Sequence, residues 1–283
     1  MDLIKHSKYS LLIILLLLSY SFTMYKVSNQ AQKPKNAAVI KSNHQTIFSV
    51  PKGEKDYNKK YLIFDQITHF NKKGLITQTF QYKSDTLFCY TSYYYDTNNI
   101  LLSCEEYNSD NSLYLTINYT HNHKGFVTRA DYIRSSQKHY DDHRNPVDVE
   151  FEKYYKKLYT YIVYINDFMG NVIEAQYYTA DNKLSFKYSY RYDFRYNQTE
   201  IKYYNNKGSV SWRKKLKYDK EGYLVQYKLY MNNRQALLSK VRYQFDQNNN
   251  WINCTETRKR YDNFFAYDVT DNTLFMVRKL DYY

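Results

Sequence analysis

Strict alternation of apolar and polar residues, punctuated by turn residues at a regular interval, constrains this chain more than any other feature. Leu184, Phe186, Tyr188, Tyr190 and Tyr192 alternate with Lys183, Ser185, Lys187, Ser189 and Arg191. Val210, Trp212, Leu216 and Tyr218 alternate with Ser211, Arg213, Lys215 and Lys217. Val241, Tyr243 and Phe245 alternate with Lys240, Arg242 and Gln244, and Leu115, Ile117 and Tyr119 with Thr116 and Asn118. A period of two sends successive side chains to opposite faces, so each segment predicts a strand with one face in and one face out.

Between these runs stand short clusters rich in Asn, Asp, Lys and Gly, residues suited to tight turns. One series begins at Asn71, Asp96, Asn122, Asp167, Asp193, Asp219 and Asp246, at intervals of 25, 26, 45, 26, 26 and 27 residues. The long interval predicts two shortened units, with Asn145-Pro146 as the turn between them. A second series, near residues 109, 180, 205 and 232, falls about half a unit later. Two turns per unit make each unit one β-hairpin. Consecutive hairpins then form an antiparallel meander. The predicted fold class is all-β: hairpin repeats of about 26 residues over residues 57–283, in a twisted or curled single sheet. An isolated hairpin is marginal in water. The 37 tyrosines supply what it lacks, because rings stacked across strands add roughly 0.2–1 kcal/mol per pair. Each ring also keeps a hydroxyl for the wet margin.

The recurring pattern of aromatic, Asp, two or three residues, Gly or Asn, then an apolar residue appears in "KYDKEGYL", "YYYDTNNIL" and "YQFDQNNNW". It resembles the tyrosine–aspartate repeats of Rhs-type surface proteins, and is MORN-like in period. It is closer still to short exported bacterial proteins built only from such hairpins. The ending also fits: "NNNW" at 248–251 and "VRKLDYY" at 277–283. The resemblance implies the hairpin architecture and an envelope setting. It implies no reaction.

The N-terminus carries Lys5 and Lys8, the apolar run Leu11–Leu18, and then Ser19-Tyr20-Ser21. Charged start, short apolar middle and small-residue exit make residues 1–21 a secretory signal peptide. The alternative is an uncleaved inner-membrane anchor, since Tyr9–Tyr25 is free of charge. Residues 22–56 are polar without a sustained period and read as a linker.

Export exposes Cys89, Cys104 and Cys254 to an oxidising compartment. Cys89 and Cys104 flank the turn at Asp96, and pairing Tyr95 with Ile100 would bring them diagonally together, a possible disulfide. In the break at residues 133–152, His139, Asp141, Asp142 and His143 form a weak metal candidate, with ligand types suited to a transition metal but no common zinc spacing. His121 and His123 sit in a turn. Glu105 and Glu106 are sequence neighbours and point to opposite faces of a strand, so they cannot flank one sugar bond. No catalytic set stands out, and no cofactor is expected.

Lys+Arg 41 against Asp+Glu 28 gives a net charge of +13. Much of it lies on the polar sides of the late strands, at Arg213, Lys215, Lys217, Lys228, Lys240 and Arg242. Such a stripe attracts anionic polysaccharide, lipopolysaccharide or an envelope protein. Export makes nucleic acid the poorest partner, and a membrane is engaged only through an uncleaved leader. The expectation is a non-catalytic binding or scaffolding protein of the periplasm, cell surface or secreted fraction. The alternatives are a carbohydrate-active enzyme with an aromatic groove, and an accessory or immunity protein of a toxin system.

Overall fold

The computed structural model describes residues 40–50, 61–83, 85–135, 159–261 and 273–283. They form sixteen strands and no helix. The first eight are β1 (Ile40–Val50), β2 (Tyr61–Phe70), β3 (Ile76–Lys83), β4 (Thr86–Tyr95), β5 (Leu101–Asn108), β6 (Leu113–His121), β7 (Val127–Arg134) and β8 (Tyr161–Asn166). The second eight are β9 (Val172–Tyr178), β10 (Leu184–Tyr192), β11 (Gln198–Asn205), β12 (Val210–Tyr218), β13 (Leu224–Met231), β14 (Arg234–Phe245), β15 (Trp251–Arg260) and β16 (Thr273–Tyr282). Each strand pairs antiparallel with its sequence neighbours, and β1 pairs with β16. The meander expected from the sequence is present, but it closes into a barrel instead of remaining a curled open sheet. The physical gain is the loss of both edges, whose unpaired N–H and C=O groups would otherwise invite other chains.

The turns explain the repeat. Ten turns among the described residues, starting at Asn71, Asp96, Asn108, Asn122, Asp167, Thr179, Asp193, Asn205, Asp219 and Asp246, share one hydrogen-bond pattern. The N–H of the first residue donates to the carbonyl four residues on, and the N–H of the fourth donates back to the first carbonyl. The fourth residue always has positive φ: Gly74, Asn99, Asn111, Gly125, Gly170, Asn182, Tyr196, Gly208, Gly222 and Asn249. This is the three-residue hairpin loop ending in a left-handed bulge. In eight of the ten the first residue is an Asp or Asn whose side-chain oxygen accepts two further N–H groups; Thr179 accepts one through its hydroxyl, and the Asn108 oxygen takes none. Asp219 Oδ1 takes those of Glu221 and Tyr223, and Asp193 Oδ1 takes those of Arg195 and Asn197. Successive turns also touch. A Cβ on Gly170 would come within 2.5 Å of the Phe126 ring, so only glycine fits there.

Three expectations change. Residues 40–50, within the stretch read as a linker, are β1, the strand that closes the ring. Its inward side chains Asn43, Gln45, Ile47 and Ser49 are buried but mostly polar, so the alternation lacks the contrast that marks a strand. The interval between Asn122 and Asp167 is one unit, not two. β7 pairs directly with β8, Ala130 opposite Ile162, and residues 136–158, which include Asn145-Pro146, lie outside the described residues. Third, Cys89 and Cys104 are not disulfide-bonded. The bulge puts Tyr95 opposite Leu101 rather than Ile100, so Cys104 faces Tyr93, four residues from Cys89. Four residues of strand span roughly 13 Å, beyond the ~7 Å reach of a disulfide. The signal-peptide residues lie outside the described residues.

Register carries one face around the whole ring. Ala130 faces Tyr119 and Ile162; Ile162 faces Tyr177; Ala175 faces Tyr164 and Tyr188; Tyr203 faces Tyr188 and Trp212. The chain continues through Ile201, Lys214 and Leu229 to Leu237, then through Cys254 and Met276 to Ile47. This inner face holds most of the buried residues. Sixteen strands at about 4.8 Å spacing enclose more room than one layer of side chains fills. Ala130 and Ala175 are fully covered, while Tyr177, Tyr188, Tyr190, Tyr203 and Trp212 on the same face keep accessible surface. The rings therefore cover the wall that encloses the lumen. The hydrophobic clusters fit this geometry: each is drawn from neighbouring strands, one from β6 to β10 and one from β14, β15, β16, β1 and β2.

Candidate functional site

Two features of the wall carry chemistry. The first is the outer face of β12 to β15. Arg213, Lys215 and Lys217 lie on β12, Lys228 on β13, and Lys240 and Arg242 on β14. Register places all six on the outside. Lys215 stands directly opposite Lys228, Gln226 opposite both Lys217 and Lys240, and Arg242 opposite Thr255. Among the described residues, the outward positions of these four strands carry no carboxylate. Arg213 is the only one of the six near an acid, 3.9 Å from Glu200 of β11, and its guanidinium lies over the Tyr230 ring at 4.7 Å. A recess of about 430 Å³, lined by Leu238, Lys240, Thr257, Arg258, Lys259 and Tyr261, extends the basic wall onto β15. Like charges directly opposite on adjacent strands destabilise a sheet, so this arrangement costs stability.

The outer wall of β9 to β11 is different. Lys187 donates to Glu174 at 2.9 Å, and Glu200 lies within 3.6 Å of Arg191 and 3.5 Å of Lys202. Charge there is balanced within the wall.

The second feature is inside, and nothing in the sequence reading singled it out. Lys214 breaks the apolar run of β12 and points inward between Ile201 and Leu229. It is 8% exposed. Its amine lies 4.0 Å above the Tyr227 ring and has no hydrogen bond or ion pair with any described residue. Near it, Glu256 Oε1 accepts from Tyr227 at 2.6 Å, from Ser239 at 2.9 Å and from Arg258 at 2.6 Å. Burial pushes the Lys214 amine down to about 8 against a smaller upward pull from Glu256. Burial alone would raise the Glu256 carboxyl, but Arg258, Tyr227 and Lys214 outweigh it and hold the group below its usual range. The signal for this cluster was present in the sequence: Lys214 is the one charge at an inward step between Trp212 and Leu216.

Of the residues expected to act, the six cations are brought together. Glu105 and Glu106 are kept on opposite faces, Glu105 outside opposite Ser92 and Glu106 inside opposite Thr91. Glu105 accepts from Tyr94 and Tyr107, at 2.8 and 2.5 Å. His139, Asp141, Asp142 and His143 lie outside the described residues. His121 sits at the end of β6, beside the turn at Asn122 that holds His123.

No protein-family model matches the chain, and no curated protein does. Among solved structures the chain is similar to a porin-like protein from Bacteroides uniformis, at 10% identity and a TM-score of 0.52, over 87% of this chain and 98% of that one. That likeness concerns the fold. A porin-like protein from Bacteroides vulgatus matches at 12% identity and a TM-score of 0.41, over 87% and 99%. A Tc holotoxin pore of Photorhabdus luminescens matches at 11% identity and 0.29, over 75% of this chain and 14% of that one. Both are too distant to bear on the fold. The chemistry of this barrel's own faces differs from that of a lipid-spanning one. Such a barrel has an apolar exterior, and a Lys or Arg at mid-membrane costs about 2–4 kcal/mol. Here Lys187, Lys202, Arg213, Lys215, Lys228 and Lys240 occupy outward positions within the strands, while aromatic rings line the inside.

Proposed function

We propose that this chain is an exported, non-catalytic envelope barrel that binds an anionic polymer through the outer wall of β12 to β15. The observation that carries the proposal is the facing pair Lys215 and Lys228 on a four-strand wall whose outward described positions hold no acid. A merely solubilising face mixes both signs, as the wall of β9 to β11 does. Repulsion maintained between neighbouring strands is relieved when an anion binds across them. The partner of best fit is a repeating anion such as lipopolysaccharide, whose charges recur along a surface.

We infer too that the repeat is of the tyrosine–aspartate type. The support is the shared turn, in which an Asp or Asn oxygen caps two N–H groups in eight of the ten described turns and a Gly or Asn takes the left-handed position in nine. The leader supports export. A carbohydrate-active enzyme fits less well, because the adjacent carboxylates Glu105 and Glu106 are divided between the two faces.

The test is binding to immobilised lipopolysaccharide. Affinity should fall steeply as salt rises from about 0.05 to 0.15 M, as screening predicts. Replacing Arg213, Lys215, Lys217 and Arg242 with Gln should weaken binding at least about tenfold, or 1.4 kcal/mol, with the circular dichroism spectrum unchanged. Equal binding by the folded variant would remove the proposal.

A further inference from the structure

We propose that the lumen contains a second binding site, for a carboxylated sugar, built from Trp212, Tyr203 and Tyr188 with Lys214 as the anion-holding group. It is separate from the outer basic wall and does not depend on that wall's role.

The inner face supplies both halves of such a site on one strand. Trp212 and Lys214 are two residues apart on β12, so their side chains leave the same face about 7 Å apart. Across the ladder, Tyr203 stands opposite Trp212 and Ile201 opposite Lys214. Tyr203 and Trp212 are parallel, with centroids 5.8 Å apart and planes 8° apart. Tyr188 closes on both, at 5.3 Å from Tyr203 and 5.8 Å from Trp212. All three rings lie on the inner face and are half-buried. Half-buried ring faces on the inner wall suit the C–H face of a pyranose.

Lys214 is what selects the ligand. A buried cation ordinarily has a carboxylate partner, since desolvating an ammonium costs several kcal/mol. The nearby Glu256 attracts it but forms no direct ion pair with it among the described residues. Its Oε1 already accepts from Tyr227, Ser239 and Arg258. Among the described residues the Lys214 amine has only the face of Tyr227, at 4.0 Å. A carboxylate arriving from the lumen would complete it, and a sugar ring attached to that carboxylate would reach the rings one step along the strand. Polar side chains line the lumen elsewhere. Gln45, Gln66 and Gln81 follow one another in register across β1, β2 and β3, and Thr68 stands opposite Thr79. The class is therefore a uronic acid or a short oligomer of one.

The chain has two tryptophans, which makes the site readable. Trp212 lies in it, and Trp251 lies in the other hydrophobic cluster with the Arg278 guanidinium 4.2 Å from its ring. The purified exported protein is titrated with a galacturonic acid trimer, with the corresponding neutral galactose oligomer as control, while intrinsic fluorescence is followed. The acid should change the emission and bind at least about tenfold more tightly than the neutral sugar. Trp212→Phe should lose most of the change and Trp251→Phe should keep it. Lys214→Met should lose the preference for the acid while remaining folded, and Lys214→Arg should keep part of it. Lys215→Gln/Lys217→Gln/Lys240→Gln on the outer wall should leave the titration unchanged. Equal binding of acid and neutral sugar, a signal that survives Trp212→Phe, or no binding by a folded wild-type protein would each overturn the proposal.

Discussion

On β7 to β9 the fully covered inner positions are Ala130, Ile162 and Ala175, and tyrosine rings lie over them. On β12 to β15 the covered inner positions include Lys214, Ser239, Cys254 and Glu256. The same hairpin and the same turn build both regions. In the first, small residues under large rings make a wall held by dispersion and ring packing. Tyr177 and Phe186 stack at 4.3 Å, and Tyr159 meets Tyr132 and Tyr177 edge-on at 5.2 and 5.0 Å. In the second, a buried ionic network replaces part of that packing. The difference shows that the repeat fixes the backbone and leaves the lining open. Stability is supplied on one side, and chemistry is held on the other at a cost in desolvation.

The contrast predicts unequal responses to mutation. Glu256→Gln should be the most damaging, at about 3–5 kcal/mol, because it leaves Arg258 as an uncompensated buried cation and removes a charge that attracts Lys214. Equilibrium urea unfolding reads this, and a loss under 1 kcal/mol would mean the network is incidental.

Tyr190 represents the other side. It stands opposite Ile201 on the inner face and packs against the cluster of β6 to β10. Burial pushes its hydroxyl well above the usual range. Tyr190→Ala should cost about 2–4 kcal/mol, as other aromatic truncations do. An unchanged melting midpoint would show that the rings do not hold the wall.

The two regions should also respond oppositely to alkali. Lys214 has a folded value of about 8 against 10.5 unfolded. Between those values the unfolded chain binds the extra proton, so stability rises with pH across that window. The gain is at most about 3 kcal/mol at 1.36 kcal/mol per unit, and Lys214→Met should abolish it. The buried tyrosines, raised above 10.0 by burial, act the other way. Above pH 10 the unfolded chain loses protons that the folded chain keeps, and stability falls. Unfolding measured from pH 7 to 11 should show a maximum between the two effects. A monotonic fall from pH 7 would contradict the position of Lys214.

The smallest effect lies in a turn. Tyr196 occupies the left-handed position with φ 63°, where most sister turns have Gly or Asn. Tyr196→Gly should stabilise by about 1 kcal/mol by relieving the left-handed strain. No gain would mean that the half-exposed ring makes contacts of equal worth.

Much of the candidate chemistry was legible before the structure. The six cations were placed on one face by parity alone, and the structure has them there. Lys214 was legible as an exception to parity, but whether an inward lysine is unpaired depends on Glu256, 42 residues away. The Cys89–Cys104 pairing failed on two residues of register: Cys104 faces Tyr93 rather than Thr91, because the turn puts Tyr95 opposite Leu101 and a further register shift follows between Tyr94 and Tyr95.

By itself the sequence determined the local events: strands of alternating residues, turns whose Asx oxygens and left-handed residues are set within five positions, and the interval between them. These follow from steric and hydrogen-bond preferences acting over a few residues. Tertiary structure alone decided closure. β1 reads as a polar stretch because its buried inward side chains Asn43, Gln45 and Ser49 are polar, and it becomes a strand by pairing with β16 and β2. Ring closure depends on the accumulated twist and stagger of sixteen strands, a sum over the whole chain that no short stretch encodes.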